Sequence, residues 1–146
     1  MPKVRGCNLP DDLLYDVDNH IWFREMGDGN VRLGMTTVAT ALAGQLVAFT
    51  PKKAGKAIEA GKSCATVESG KWVGPAKSAV AGEVVTINDE LVGKPSLAND
   101  DPYDKGWMVL LKPNDWAGVK ASLTPGSAVA AKYEAKMAAD GFAGCA

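Results

Sequence analysis

A lysine beside a glycine is the residue in this chain best placed for chemistry. Lys71 lies in SCATVESGKWVG, where two runs typical of β-strands meet at Glu68-Ser69-Gly70-Lys71. A primary amine at the tip of a stiff hairpin suits a swinging prosthetic group, because the flanking strands fix where the arm begins. Gly70 would permit a tight turn and leave room beside the arm. Local chemistry alone leaves open an ordinary solvated turn lysine.

A short internal repeat surrounds this turn. The segment AGQLVAFTPKKAGK, residues 43–56, returns as AGEVVTINDELVGK, residues 81–94. Two similar halves that meet at a turn predict a folded-over β module with pseudo-twofold symmetry and the Lys71 side chain at its tip.

His20 is the only histidine of the chain. It cannot pair with a second histidine, so metalloenzyme and serine-hydrolase chemistry are poorly supported, and we predict no metal site and no catalytic residue. Two interpretations of His20 stay open: a hydrogen-bonded structural residue, or a contact for the arm.

The elements that must position Lys71 are short strands separated by glycine and proline. The candidate strands are residues 21–25, 31–35, 46–49, 63–68, 72–75, 83–87 and 107–111. Asp28-Gly29 supplies the turn of the first hairpin. This pattern predicts a mainly β fold of two facing antiparallel sheets.

Two short helices and a C-terminal helix accompany the strands in our prediction. Pro10, followed by two aspartates, predicts an N-terminal helix through Tyr15. Thr36 or Thr37 would cap a helix over residues 37–43 that ends at Gly44. The segment TPGSAVAAKYEAKMAAD predicts a C-terminal amphipathic helix with a threonine cap, which Gly141 stops.

Composition limits the classes of partner. The 146 residues make one domain, 1–146, with a helical tail from about 124 to 146, and are enough to bury a core. The formal net charge of −1 gives no reason to expect nucleic acid or a membrane surface as a partner. No secretory signal is visible, so we expect a cytoplasmic protein.

The segment VESGKWVGPAKSAVAGEVVTIN, residues 67–88, resembles the lipoyl-lysine hairpin of glycine cleavage H proteins, with Lys71 at the modified position. The resemblance continues through DPYDKGWMVLLKP and back through GNVRLGMTTVATALAGQLV, and covers roughly residues 16–116. It implies a lipoyl/biotinyl-type barrel-sandwich hybrid and a non-catalytic carrier with lipoate on Lys71. A lipoate ligase would then recognise Glu68, Ser69, Gly70 and Trp72, and the HIW stretch resembles the H-E-W stretch near the arm.

Three departures from that pattern bear on the role. Lys71 lies between Gly70 and Trp72, Cys7 precedes the shared region, and the tail closes on Cys145. These features more closely resemble the H-like lipoate-binding proteins of sulfur-oxidising prokaryotes. That resemblance implies a cytoplasmic heterodisulfide-reductase-like complex and a dihydrolipoamide dehydrogenase as partners.

Other functions remain as alternatives. The first is a glycine cleavage H protein that carries an aminomethyl group between glycine decarboxylase and aminomethyltransferase. A biotinyl carrier is less favoured, because biotin hairpins usually flank the lysine with methionines. An unmodified binding module that lost the cofactor is the third alternative.

The cysteines and Trp72 also carry open interpretations. Three cysteines, an odd number, do not indicate a disulfide framework, and Cys64 in SCATVE is predicted to be buried. Cys7 and Cys145 lie near the chain ends, where we expect exposure. They are either unremarkable thiols or redox thiols that exchange sulfur or electrons with the lipoyl dithiol or a partner. Trp72 either contacts the arm or a partner, or faces the core.

Overall fold

The computed structural model describes residues 3–145 and consists mainly of short strands. The strands are β1 (Lys3–Val4), β2 (Cys7–Asn8), β3 (Leu14–Asp16), β4 (Ile21–Glu25), β5 (Val31–Met35), β6 (Leu46–Pro51), β7 (Ala57–Ile58), β8 (Lys62–Ser69), β9 (Val73–Ser78), β10 (Gly82–Ile87), β11 (Val109–Pro113) and β12 (Thr124–Pro125). The helices are α1 (Thr37–Ala43), α2 (Asp89–Gly93), α3 (Leu97–Asp100), α4 (Trp116–Lys120) and α5 (Val129–Asp140). No helix in residues 3–145 combines the length and the apolar character needed to cross a membrane.

Two antiparallel sheets enclose the main core. The larger sheet has seven strands in the order β12-β3-β4-β5-β11-β10-β7, and the smaller has three in the order β6-β8-β9. Phe23 and Leu33 of the larger sheet share one hydrophobic cluster with Phe49 and Val67 of the smaller, and each is at most 4% exposed. The prediction of two facing sheets is therefore confirmed.

Local patterns located most strands well. The predicted strands 21–25 and 31–35 match β4 and β5 residue for residue, and the other five predicted strands are shifted or lengthened by one to a few residues. The predicted helix 37–43 is α1, which Thr36 caps through its side chain and Gly44 ends. The smaller helices α2, α3 and α4 were not predicted.

The predicted N-terminal helix through Tyr15 is wrong. The chain turns after Pro10 and then enters β3, where Leu14 pairs with Phe23 and Tyr15 pairs with Trp22. The Tyr15 hydroxyl donates to the carbonyl of Pro10 over 2.6 Å. Long-range strand pairing has therefore outweighed the local helix-start signal.

The C-terminal helix is shorter than predicted. It begins at Val129 without a side-chain cap, because Thr124–Pro125 forms β12 and pairs with β3. Its apolar face is as predicted: Val129, Tyr133 and Met137 are buried in a second hydrophobic cluster, and the left-handed Gly141 ends the helix. This cluster includes Trp22 and lies outside the main core.

The two copies of the internal repeat begin alike and then diverge. The first copy supplies β6 of the smaller sheet, and the second supplies β10 of the larger sheet. Val47 and Val85 occupy matching places and are both exposed. After the strand, however, Gly55 lies in a loop whereas Gly93 lies in α2, so the pseudo-symmetry is limited to the first part of each copy.

Candidate functional site

Lys71 lies at the tip of the β8–β9 hairpin, where it was predicted. Glu68 pairs with Val73, and the amide of Ser69 donates to the carbonyl of Trp72 over 2.8 Å, which closes the turn. The Lys71 side chain is exposed. The hairpin therefore projects a free amine from a base that backbone hydrogen bonds hold in place.

Ser69 stabilises the turn through two hydrogen bonds of its side-chain hydroxyl. Its hydroxyl donates to the carbonyl of Ala43 over 2.6 Å and accepts from the amide of Lys71 over 3.3 Å. Ser69 is 6% exposed, whereas Glu68, Gly70 and Trp72 lie at the surface. Of the four residues predicted as ligase contacts beside Lys71, Ser69 supports the turn, and the other three are placed where a ligase could touch them.

Gly44 provides the surface on which the Lys71 stem rests. Its φ of +87° favours glycine, and a Cβ built there would lie 3.1 Å from Lys71 Cε. The Asn99 side chain holds this loop by donating to the Gly44 carbonyl over 3.0 Å and accepting from the Leu46 amide over 2.9 Å. Asn99 was not predicted as a site residue, because nothing in its local pattern distinguishes it from a turn residue.

A cleft of about 500 Å³ opens beside Lys71. Apart from Lys71, its lining residues are Asn19, His20, Ile21, Met35, Ala39, Leu42, Ala43, Trp72, Pro75 and Ala76. None of these lining residues is acidic, and most are apolar. This volume falls within the range of about 300–1,000 Å³ typical of small-molecule sites.

Trp72 forms one wall of the cleft and does not enter the core. It is 39% exposed, and a Cβ on Gly74 would collide with its ring, so the indole folds back over β9. Because it faces both the cleft and solvent, the ring can contact an arm within the cleft and a protein that covers the hairpin. The alternative of a core-facing tryptophan is wrong.

His20 also lines the cleft, in a constrained setting. Its backbone has a φ of +57°, and Nδ1 lies 3.0 Å from the Tyr133 hydroxyl. The two rings are stacked with centroids 5.7 Å apart. Burial, and secondarily the charge of Lys136, lowers the pKa of His20, so the imidazole is neutral at pH 7. The structure thus shows both a hydrogen-bonded role and a position in the wall of the cleft.

Comparison with known proteins identifies the family. The family model described as "Glycine cleavage H-protein" matches residues 13–136. The chain belongs to the glycine cleavage H-protein family. It is 53% identical over 117 residues to glycine cleavage system H protein 5 of Aquifex aeolicus, covering 77% of this chain and 78% of that one. It is 37% identical over 131 residues to probable glycine cleavage system H protein 2 of Sulfurisphaera tokodaii, covering 88% of each.

A solved structure from the same family supports the fold. The crystal structure of a glycine cleavage system H protein from Mycobacterium marinum matches with a TM-score of 0.67 and 34% identity, covering 72% of this chain and 86% of that one. H proteins are lipoyl carriers, not catalysts. The site fits that class, because it offers an exposed amine, a glycine surface under the lysine stem and an adjoining cleft.

The terminal cysteines of this H protein are bonded to each other. Cys7 and Cys145 form a disulfide with their Cα atoms 4.9 Å apart. Cys7 has no exposed surface and Cys145 is half-buried, so the expectation of two exposed thiols is wrong. The cysteine count is odd because one residue, Cys64, stays free and buried, and burial raises the pKa of its thiol to about 12.

The tail after α5 turns back to reach Cys7. The Cys145 amide donates to the Arg5 carbonyl over 3.0 Å, and the Arg5 guanidinium donates to the Phe142 carbonyl over 2.8 Å. Arg5 also pairs with Glu134 on α5. These contacts connect residues far apart in the sequence, which is why no local pattern indicated the pairing.

Proposed function

We propose that lipoate is attached through an amide bond to Lys71 Nζ, and that this H-family protein carries intermediates between enzymes on the arm. The observation that best supports the proposal is the position of Lys71: exposed at a hairpin tip, with its stem across Gly44 and a cleft at its side. Tethering would keep the arm's reactive end at high effective concentration near a docked partner.

The residues around Lys71 have separate tasks in this proposal. Ser69 and Gly44 hold the base of the arm, and Trp72 with Leu42 forms an apolar wall that shelters its chain. Exposed Glu68 and Gly70 remain predicted contacts of a lipoate ligase. When bound, the lipoyl group supplies a cyclic disulfide that opens to a dithiol, and the protein supplies position and surroundings.

Intact-mass measurement after co-expression with a lipoate ligase tests the attachment. We expect one lipoyl group per chain, none in Lys71→Arg, and one in Lys77→Arg, which changes an exposed lysine of β9 on the same hairpin. An unshifted wild-type mass, or a lipoylated Lys71→Arg chain, would contradict the proposal.

The names of the relatives support a role in glycine cleavage. In that role the arm would carry an aminomethyl group between glycine decarboxylase and aminomethyltransferase, and dihydrolipoamide dehydrogenase would reoxidise the dithiol. Family membership supports this system more directly than any other.

Cytoplasmic sulfur oxidation with a heterodisulfide-reductase-like complex is the second candidate, and the chemistry of the cleft favours it. An aminomethyl group on sulfur bears an amine that is protonated near neutral pH, and burying a cation without an anion is costly. The residues that line the cleft include no carboxylate, and His20 is neutral at pH 7. A sulfane sulfur on the arm needs no such counter-charge.

Reconstitution separates the two systems. Oxidised lipoyl protein is mixed with glycine and glycine decarboxylase, because decarboxylation supplies the electron pair that opens the arm's disulfide. In parallel, reduced lipoyl protein is mixed with a sulfane-sulfur donor and the heterodisulfide-reductase-like complex, and each adduct is followed by intact mass. Efficient aminomethylation and its onward transfer would establish glycine cleavage and defeat the second candidate. The variants Leu42→Glu and Leu42→Gln add a carboxylate or a neutral amide at the exposed rim of the cleft. A longer-lived aminomethyl adduct in Leu42→Glu alone would show that the missing anion limits that cargo.

A further inference from the structure

The disulfide and the arm lysine lie at opposite ends of one short helix. At the first residue of α1, the Thr37 carbonyl oxygen is 3.7 Å from Cys145 Sγ. Immediately after the last residue of α1, a Cβ on Gly44 would lie 3.1 Å from Lys71 Cε. Because α1 has seven residues, about 10 Å separate these two points at a rise of 1.5 Å per residue.

A lipoyl group can bridge that distance. Its extended chain places the dithiol about 10 Å beyond Lys71 Nζ, from ordinary bond lengths of about 1.5 Å. Thr37 and Ala41 lie one turn apart on the same face of α1; Ala41 is exposed and Thr37 is half-buried, so this face offers the arm a route towards the disulfide. The reactive end of the arm therefore comes within reach of Cys145.

We propose that the dihydrolipoyl arm on Lys71 reduces the Cys7–Cys145 disulfide of the same chain by thiol–disulfide exchange. This inference rests on the proposed lipoylation of Lys71. The attacked atom is Cys145 Sγ, because Cys145 is half-buried whereas Cys7 has no exposed surface. The product is a reduced cysteine pair and a reoxidised arm.

The exchange proceeds in two balanced steps. One arm thiolate attacks Cys145 Sγ; the Cys7–Cys145 bond breaks, and Cys7 leaves as a thiolate that takes up a proton. The second arm thiolate then attacks the arm sulfur of the mixed disulfide, which closes the dithiolane and releases the Cys145 thiol. Two electrons and two protons pass from the dithiol to the cysteines, and no other oxidant or reductant takes part.

One consequence is that each chain could store more electrons. A lipoylated chain would hold two electron pairs, one on the arm and one on the cysteines, so a reductant that acts only on the arm could deliver twice the arm's own equivalents. Catalytic dihydrolipoamide dehydrogenase with NADH is such a reductant, and the oxidation of NADH is easily counted.

The test is an anaerobic titration of oxidised chains whose lipoylation has first been verified by intact mass. We expect two NADH consumed per wild-type chain, one per lipoylated Cys7→Ala/Cys145→Ala chain, and none per Lys71→Arg chain. A thiol titration should find two more free thiols in the reduced wild type than in the reduced cysteine variant. One NADH per wild-type chain with the arm fully reduced would overturn the inference. A chain that carries no lipoyl group would instead defeat the proposed function before the titration begins.

Transfer within one chain has its own check. The apparent first-order rate constant of the second equivalent should not change with protein concentration, and a rate constant proportional to concentration would overturn the same-chain claim. In a second check, lipoylated Cys7→Ala/Cys145→Ala chains are mixed with disulfide-bonded Lys71→Arg chains. The arm of the first should reduce the disulfide of the second at least tenfold more slowly than the wild-type arm reduces its own disulfide. The comparison of wild type with Lys71→Arg decides the matter even where the double cysteine variant folds poorly.

Discussion

Breaking the Cys7–Cys145 disulfide should lower the free energy of unfolding by about 5 kcal/mol at 25 °C, from the entropy of closing a long loop. The bond joins residues 138 positions apart, so it restricts nearly the whole unfolded chain. Native contacts near the bond should change little, because the tail is also held by the Arg5 hydrogen bond to Phe142. The ion pair of Arg5 with Glu134 is largely solvated and adds little.

Urea unfolding of the unlipoylated chain with and without a phosphine reductant measures this loss. The midpoint should fall in the reduced chain, and the slope m should rise because the unfolded chain exposes more surface once the loop opens. Cys64→Ala should keep the effect of the reductant, since Cys64 is outside the bond. Cys7→Ala/Cys145→Ala should abolish it. A loss below about 1 kcal/mol, with thiol titration showing the bond broken, would refute the loop-entropy argument.

Three further predictions concern the site. Gly44→Ala and Gly55→Ala both force alanine to a φ of +87°, so each should lose about 1–2 kcal/mol, but only Gly44→Ala should slow lipoylation, because only its Cβ meets the arm lysine. The fold lowers the pKa of His20, so as pH falls below about 6.5 the imidazole takes up a proton in the unfolded chain first, and the free energy of unfolding falls by at most about 1.4 kcal/mol per pH unit. The variant His20→Asn tolerates the left-handed backbone and has no imidazole. Its free energy of unfolding in urea should therefore fall less than that of the wild type between pH 7.5 and 5.5. Ser69→Ala leaves a carbonyl of α1 without its donor and should cost about 1–3 kcal/mol in urea unfolding, whereas Ser122→Ala, which is exposed, should cost little. Equal lipoylation rates in Gly44→Ala and Gly55→Ala, or equal stability losses in Ser69→Ala and Ser122→Ala, would contradict the structural explanation.

The arm hairpin was predictable because its information is local. A strand with one face on the core shows alternation in the sequence, and Ala65, Val67 and Ser69 are buried with exposed Thr66 and Glu68 between them. Gly70 marks the point where the alternation stops. The same reasoning located β4 and β5, because Asp28-Gly29 fixes their turn.

Competing local signals explain the main error in the fold. Pro10 and the aspartates after it favour a helix start, yet Leu13, Tyr15 and Val17 are buried at alternate positions, as in a strand. The alternation was present in the sequence, but only pairing with β4 decides in its favour. A short segment with both signals takes the structure that its distant neighbour stabilises.

The cleft and the disulfide could not be predicted from local patterns. The cleft combines Asn19, Met35 and Leu42 with the hairpin tip, and these residues belong to four separate segments. The disulfide joins the two ends of the chain. In each case the individual residues carry no mark of their partners, because the contact exists only after the sheets have closed.

Helix α1 runs between the Cys7–Cys145 disulfide and the arm lysine, and it is short. Seven residues are too few for a helix to be stable alone, so both of its ends depend on outside contacts. The first turn is held by Tyr103, whose hydroxyl bonds the Thr37 amide and the Asn8 carbonyl beside Cys7. The last residue is held by Ser69 beneath the arm lysine. Loosening either end should therefore weaken the helix that positions the other.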